Sequence, residues 1–269
     1  LVREVAAPLP LRIICRMMGI HHEDEAMVLE QSNIILSGGD PEFFATPEEG
    51  MGMVLTAGQL LSECMMRLAE ERKGKPTDDL TSALVNAEIE GETLTNQEIA
   101  SFFILLCVAG NETTRTATSH GVYNLDRHPE QRAAWMADDS LTKTAVEEIV
   151  RYASPVIWMR RTATRDVTVG GQDFAKGSKF ILYYNSANRD ETVFSDPDTF
   201  DITRSPNPHV GFGARGPHFC LGANLARREL AVAFRNMFAE MPDLKVVGEP
   251  DRLRSSFING IKRMTVSLG

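Results

Sequence analysis

The chain has little that would mark it for export, for a membrane or for nucleic acid. Its four cysteines, Cys15, Cys64, Cys107 and Cys220, form no CxxC pair and no zinc spacing, which argues against a disulfide framework or a zinc module and fits a reducing cytoplasm. No apolar run is long enough to span a bilayer; the stretch from Phe102 to Gly110 is far too short. The first residues carry no signal-peptide pattern. Leu1-Val2-Arg3-Glu4-Val5-Ala6 instead reads as the middle of a helix, so the chain is expected to begin inside a fold. There is no excess of positive charge: the net charge of −9 opposes phosphate-dominated binding. No Gly-rich nucleotide-binding fingerprint is present, and there are no repeats or low-complexity tracts.

What is present is helical periodicity over 269 residues, 43% of them hydrophobic. Helices are expected over about 10–18, 23–36 and 48–73, then from a cap at Asp78 to about 87, with 88–94 as a polar connector. Thr95-Asn96-Gln97-Glu98 reads as a capping box that opens the longest helix, which ends near Arg127 because of Pro129. Two more helices are expected over about 130–137 and 141–152. The pattern then turns β-rich over about 156–161, 167–169 and 179–184, with Gly170-Gly171 and Lys176-Gly177 as turns. A helix over about 221–239 and short strands over about 244–268 close the chain. The expectation is one mostly α domain with small β-sheets, residues 1–269, with no linker dividing it.

Phe212-Gly213-Ala214-Arg215-Gly216-Pro217-His218-Phe219-Cys220-Leu221-Gly222 puts a cysteine at the foot of a glycine-rich loop, just before a helix. Gly213, Gly216 and Gly222 let the backbone approach a planar ligand. The helix end turns free N–H groups toward the sulfur, which favours thiolate. Either this cysteine meets a flat metal cofactor, or it is an ordinary buried loop cysteine. In the long helix, Ala109-Gly110-Asn111-Glu112-Thr113-Thr114 sets an acid and a hydroxyl beside a glycine that is disfavoured there by about 1 kcal/mol. A local opening is expected, with Thr113 ordering water and Glu112 relaying protons. The alternative has Glu112 facing water and Thr113 bonded back to a carbonyl. Glu148 and Arg151 share a helix face. They are either an exposed pair of small effect or, with Arg204, a buried network that holds the cysteine loop. Phe103, Leu106, Val156, Ile157, Trp158, Phe257 and Ile258 are either walls of an apolar pocket or ordinary core.

In this order the motifs resemble those of the cytochrome P450 family of haem-thiolate monooxygenases. Asn188-Arg189-Asp190 with Phe194-x-Asp196-Pro197-x-x-Phe200 is similar to the bacterial members' approach to the haem loop. The resemblance covers the whole chain, but about the first third of a family chain is absent. It implies an N-terminally truncated P450 fold carrying heme b (iron protoporphyrin IX) on Cys220. His218 and Arg161 would pair with propionates, Phe212, Gly213, Gly216, Gly222, Ala109 and Gly110 would surround the cofactor, and Thr113 and Glu112 would serve oxygen activation. His209-Val210-Gly211-Phe212-Gly213 resembles an actinobacterial subgroup that oxidises methyl-branched lipids and sterol side chains at terminal carbons. Many members carry an aromatic where Gly213 stands; Phe212 lies one earlier. The implied activity is hydroxylation of an apolar small molecule with O2 and electrons from a ferredoxin-type carrier. Arg215, Arg227 and Arg228 are candidates for docking that carrier. Peroxide-driven hydroxylation, a non-catalytic haem-binding protein and an inactive fragment are the alternatives. A cytoplasmic location is expected, with no nucleic-acid partner and no membrane insertion.

Overall fold

The structure, a computed structural model, describes residues 1–37, 40–214 and 216–269. It divides into two compact units: Leu1–Ser119 with Val246–Ser255 and Gly260–Ser267, and His120–Lys245 with Ser256–Asn259 and Leu268–Gly269. Among the described residues no helix is long and apolar enough to cross a membrane.

In the first unit, α1 (Pro8–Met18) starts on a proline, which has no N–H to leave unpaired. It is followed by α2 (Glu25–Leu36), α3 (Pro47–Arg72), α4 (Leu80–Val85) and the start of α5 (Asn96–Arg127). Leu11, Ile14, Cys15 and Met18 on α1 recur at helical spacing and pack with Leu61, Cys64, Met65 and Leu68 on α3. Ile99, Ala100, Phe103 and Cys107 bring α5 into the same core. Each large apolar side chain buried there contributes about 1.5–3 kcal/mol.

Thr95 and Glu98 form the expected capping box: Thr95 Oγ1 accepts the Glu98 N–H at 3.2 Å and Glu98 Oε2 accepts the Thr95 N–H at 2.9 Å. α4 is capped by Asp79 and not by Asp78. Its carboxylate accepts the Ser82 N–H at 2.7 Å and pairs with Arg72 at 3.0 Å. The expected polar connector is a small hairpin, β1 (Glu88–Ile89) with β2 (Glu92–Thr93), closed by a two-residue turn. α5 runs unbroken through Gly110, so the expected opening is absent. A Cβ there would lie 2.8 Å from Ile14 Cδ1, so the glycine serves close packing of α1 on α5.

In the second unit, α6 (Pro129–Ala137) and α7 (Thr142–Ala153) precede β3 (Trp158–Thr162). β3 pairs antiparallel with β6 (Lys179–Tyr183), Trp158 lying opposite Tyr183. Val156 makes only an isolated bridge to Ile258, so β3 starts later than the β-rich run. β4 (Val167–Val169) pairs with β5 (Gln172–Phe174), whose Gln and Asp are poor strand formers; the Gly170-Gly171 turn returns it to β4. The short α8 (Tyr184–Ala187) and α9 (Ala223–Glu240) complete this unit. Phe234 of α9 stacks tilted on Trp135 of α6, centroids 5.5 Å apart. The hairpin of β7 (Lys245–Arg252) and β8 (Ile261–Ser267) belongs, apart from Lys245, to the first unit.

Candidate active site

Cys220 is exposed, while Cys15, Cys64 and Cys107 are buried. Its loop is shaped by its own backbone: the Gly213 N–H donates to the Val210 carbonyl at 2.8 Å, and the Cys220 N–H donates to the Phe212 carbonyl at 2.9 Å. Gly213 has φ +84°, a left-handed conformation that a side chain disfavours. Phe219 and Leu221 flank the sulfur and are 46% and 82% exposed, an apolar rim of the kind that a planar apolar group would cover. Partial burial pushes the Cys220 thiol up, and the Gly222 N–H and the Arg227 charge offset this only in part. The Gly222 N–H at the helix start thus pulls toward thiolate, as expected from sequence, but does not outweigh burial. A coordinating metal ion would, because a ligating thiol gives up its proton outright.

Arg161 and His218 line one cavity of about 920 Å³ together with Tyr184, Arg189, Gly216 and Pro217. The Arg161 guanidinium donates to the Arg160 carbonyl at 2.9 Å. On one loop, then, His218 lines the cavity beside Arg161, and Cys220 offers a soft sulfur between apolar Phe219 and Leu221, a donor set that fits a planar metal cofactor with an acidic edge.

Behind the loop, Glu148, Arg151 and Arg204 form a buried network. Glu148 accepts from Arg151 twice at 2.7 Å, and Arg204 lies 3.3 Å from the same carboxylate. Arg151 also donates to the carbonyls of Asn188, Pro197 and Thr199. Asn188, fully buried, extends the brace: its Oδ1 accepts the Val210 N–H at 2.8 Å, where the loop begins. A second cluster escapes sequence reasoning. Glu147 binds His209 Nε2 at 2.9 Å and Arg227 at 2.5 and 2.9 Å. Burial pushes the Glu147 carboxyl up, but His209 and Arg227 pull it down to about 2. Arg227 is thus ion-paired and not a free docking charge. Arg228 is exposed, and Arg215 lies outside the described residues.

In the first unit Glu112 is buried and ion-paired with Arg115, which reaches Asn33 Oδ1 at 2.9 Å. Burial raises its carboxyl, more than Arg115 and Thr116 lower it. It does not face water. Thr113 Oγ1 donates to the Ala109 carbonyl at 2.7 Å, the back-bonded alternative. Phe103 is fully buried in the core of the first unit, while Leu106 is partly buried and packs against that core. Ser101, Leu105 and Ala109 occupy the exposed stripe of α5 instead. Ala109 thus lies on that exposed stripe, whereas Gly110 packs against Ile14. In the second unit the other apolar candidates do meet: the Ile157 N–H donates to the Phe257 carbonyl at 2.9 Å, Trp158 and Phe257 stack edge-on at 5.5 Å, and Val156 bridges Ile258.

The Cytochrome P450 family profile matches residues 43–138 and 133–242. The methyl-branched lipid omega-hydroxylase of Mycobacterium tuberculosis is 54% identical over 268 residues, covering 99% of this chain and 62% of that protein. The steroid C26-monooxygenase of Mycolicibacterium smegmatis is 42% identical over 98% of this chain and 60% of that protein. A Mycobacterium marinum cytochrome P450 solved in complex with pseudoionone superposes with a TM-score of 0.95 at 42% identity, covering 99% of this chain and 64% of that one. The mostly helical fold with small antiparallel sheets is shared with that solved protein. The chain belongs to the cytochrome P450 family, whose cofactor is haem. It spans about 62% of the length of the first of these relatives.

Proposed function

We propose that residues 1–269 form one domain of a haem-thiolate monooxygenase that hydroxylates an apolar substrate: a methyl-branched lipid, a fatty acid or a sterol side chain. The observation that carries this reading is the exposed Cys220 thiol at the end of a braced glycine loop whose own residues share a cavity with Arg161. The group is heme b, which when bound supplies the iron at which O2 is activated. Cys220 would ligate its iron, and Arg161 and His218 would hold its carboxylates by charge-assisted hydrogen bonds. Phe212, Gly213, Gly216, Gly222 and Ala109 flank it. Glu112 serves proton delivery during oxygen activation. Thr113 orders water once its hydroxyl leaves the Ala109 carbonyl. Val156, Ile157, Trp158, Phe257 and Ile258 supply apolar contact to the substrate. Electrons come from a ferredoxin-type carrier, with exposed Arg228 at its docking surface, and the protein works in the cytoplasm, where four unpaired thiols persist.

The test is an absorbance spectrum of the haem-loaded chain, reduced and CO-bound. The expected result is the Soret band of a thiolate ligand, lost in Cys220→Ser. A band unchanged in Cys220→Ser would overturn the assignment. Comparing turnover with NADH and ferredoxin against turnover with peroxide then separates the two oxidant routes.

A further inference from the structure

Arg227 stands at the fifth residue of α9, just past its first turn, on the side that meets the loop. Its guanidinium sits over the Phe212 ring, 4.4 Å from the centroid. The carbonyl of that same Phe212 accepts the Cys220 N–H at 2.9 Å. Two of its nitrogens are fixed by Glu147, and Glu147 is fixed in turn by His209 Nε2 at 2.9 Å. His209 Nδ1 accepts the Gly211 N–H at 3.1 Å, which leaves the proton on Nε2 to donate to Glu147. Arg227 is thus clamped from α7 and from the loop itself, and is held out of solvent on its Phe212 side.

We propose that Arg227 is a positioning residue for the thiolate ligand, a fixed cation held by Glu147 and His209 that favours the reduced state of the bound metal. The inference rests on the reading of Cys220 as the haem ligand. A partly buried charge is screened less by salt than an exposed one. Charges and hydrogen bonds around a metal's ligands set its potential.

The experiment is a spectroelectrochemical titration of the haem-loaded chain and its variants, beside their reduced CO spectra and thermal midpoints. Arg227→Gln is expected to disfavour reduction by ~3–10-fold, tenfold being about 59 mV for one electron. Glu147→Gln keeps an acceptor for Arg227 but removes the opposing charge, so it is expected to shift the potential the other way. Arg227→Lys keeps the charge and should stay near the unmodified chain. A merely structural brace would move Arg227→Gln and Glu147→Gln in the same direction; that result, or no shift, overturns the inference. If Arg227→Gln fails to take up haem, the contrast between Arg227→Lys and Glu147→Gln decides by the same signs. Absence of the thiolate band in the unmodified chain would instead defeat the reading on which the inference rests.

Discussion

Arg151 shows how much one buried side chain can hold. It is fully buried, and its guanidinium satisfies a carboxylate and three backbone carbonyls from segments 37 to 48 residues downstream. Removing it leaves Glu148 buried with, among the described residues, only Arg204, Asn207 and the Asp201 N–H as partners, and takes a donor from each of those carbonyls, of which Thr199 alone keeps Arg204. Arg151→Met is expected to destabilise the chain by ~3–5 kcal/mol, as for other buried pairs broken on one side. Arg151→Lys should recover only part of this, because a single ammonium cannot reproduce the planar fork. Urea unfolding measures both; a midpoint unchanged in Arg151→Met would refute the account.

Among the elements, the six-residue α4 is held at its N-terminus by one side-chain cap. Asp79 accepts the Ser82 N–H, pairs with Arg72 and accepts the Thr77 hydroxyl at 2.5 Å. Asp79→Ala should cost about 0.5–2 kcal/mol through the cap alone. Hydrogen exchange of the α4 amides is expected to speed up while those of α9 stay protected; equal effects on both would contradict a local role. What sequence reveals at this scale follows from distance along the chain. The capping box at Thr95 and the cysteine loop are legible because their partners are contiguous. The Glu147–His209–Arg227 cluster is not, since its partners are separated by 62 and 80 residues and are individually ordinary charged side chains. Phe103 is ambiguous in sequence for another reason: helical periodicity shows that a face is apolar but not what it meets. Gly110 is misread likewise, because a glycine that weakens a helix and one that lets another helix approach look identical in sequence.

For the whole molecule, the opposing carboxyl shifts set an acid response. Glu147 is held at about 2, below its ordinary 4.5, so the stability it contributes is complete above 4.5 and is lost as pH falls toward 2. Glu112 is raised, so its ionisation opposes folding above its ordinary value, and acid relieves that penalty. Thermal midpoints of the chain and of Glu147→Gln should therefore differ most above pH 4.5 and converge toward pH 2; a gap that stays constant would exclude Glu147 from the response. The placement of the thiols has a further consequence. Burial pushes Cys15 up to about 12 and Cys64 to about 11 and raises Cys107 as well, all three out of reach in the interior; Cys220 is raised by partial burial too, but it is exposed. To an alkylating reagent the folded, cofactor-free chain offers a single address. The sulfur best placed to bind a metal is therefore the first to be lost to oxidation, and a label that finds it reports how much of a sample never took up its cofactor.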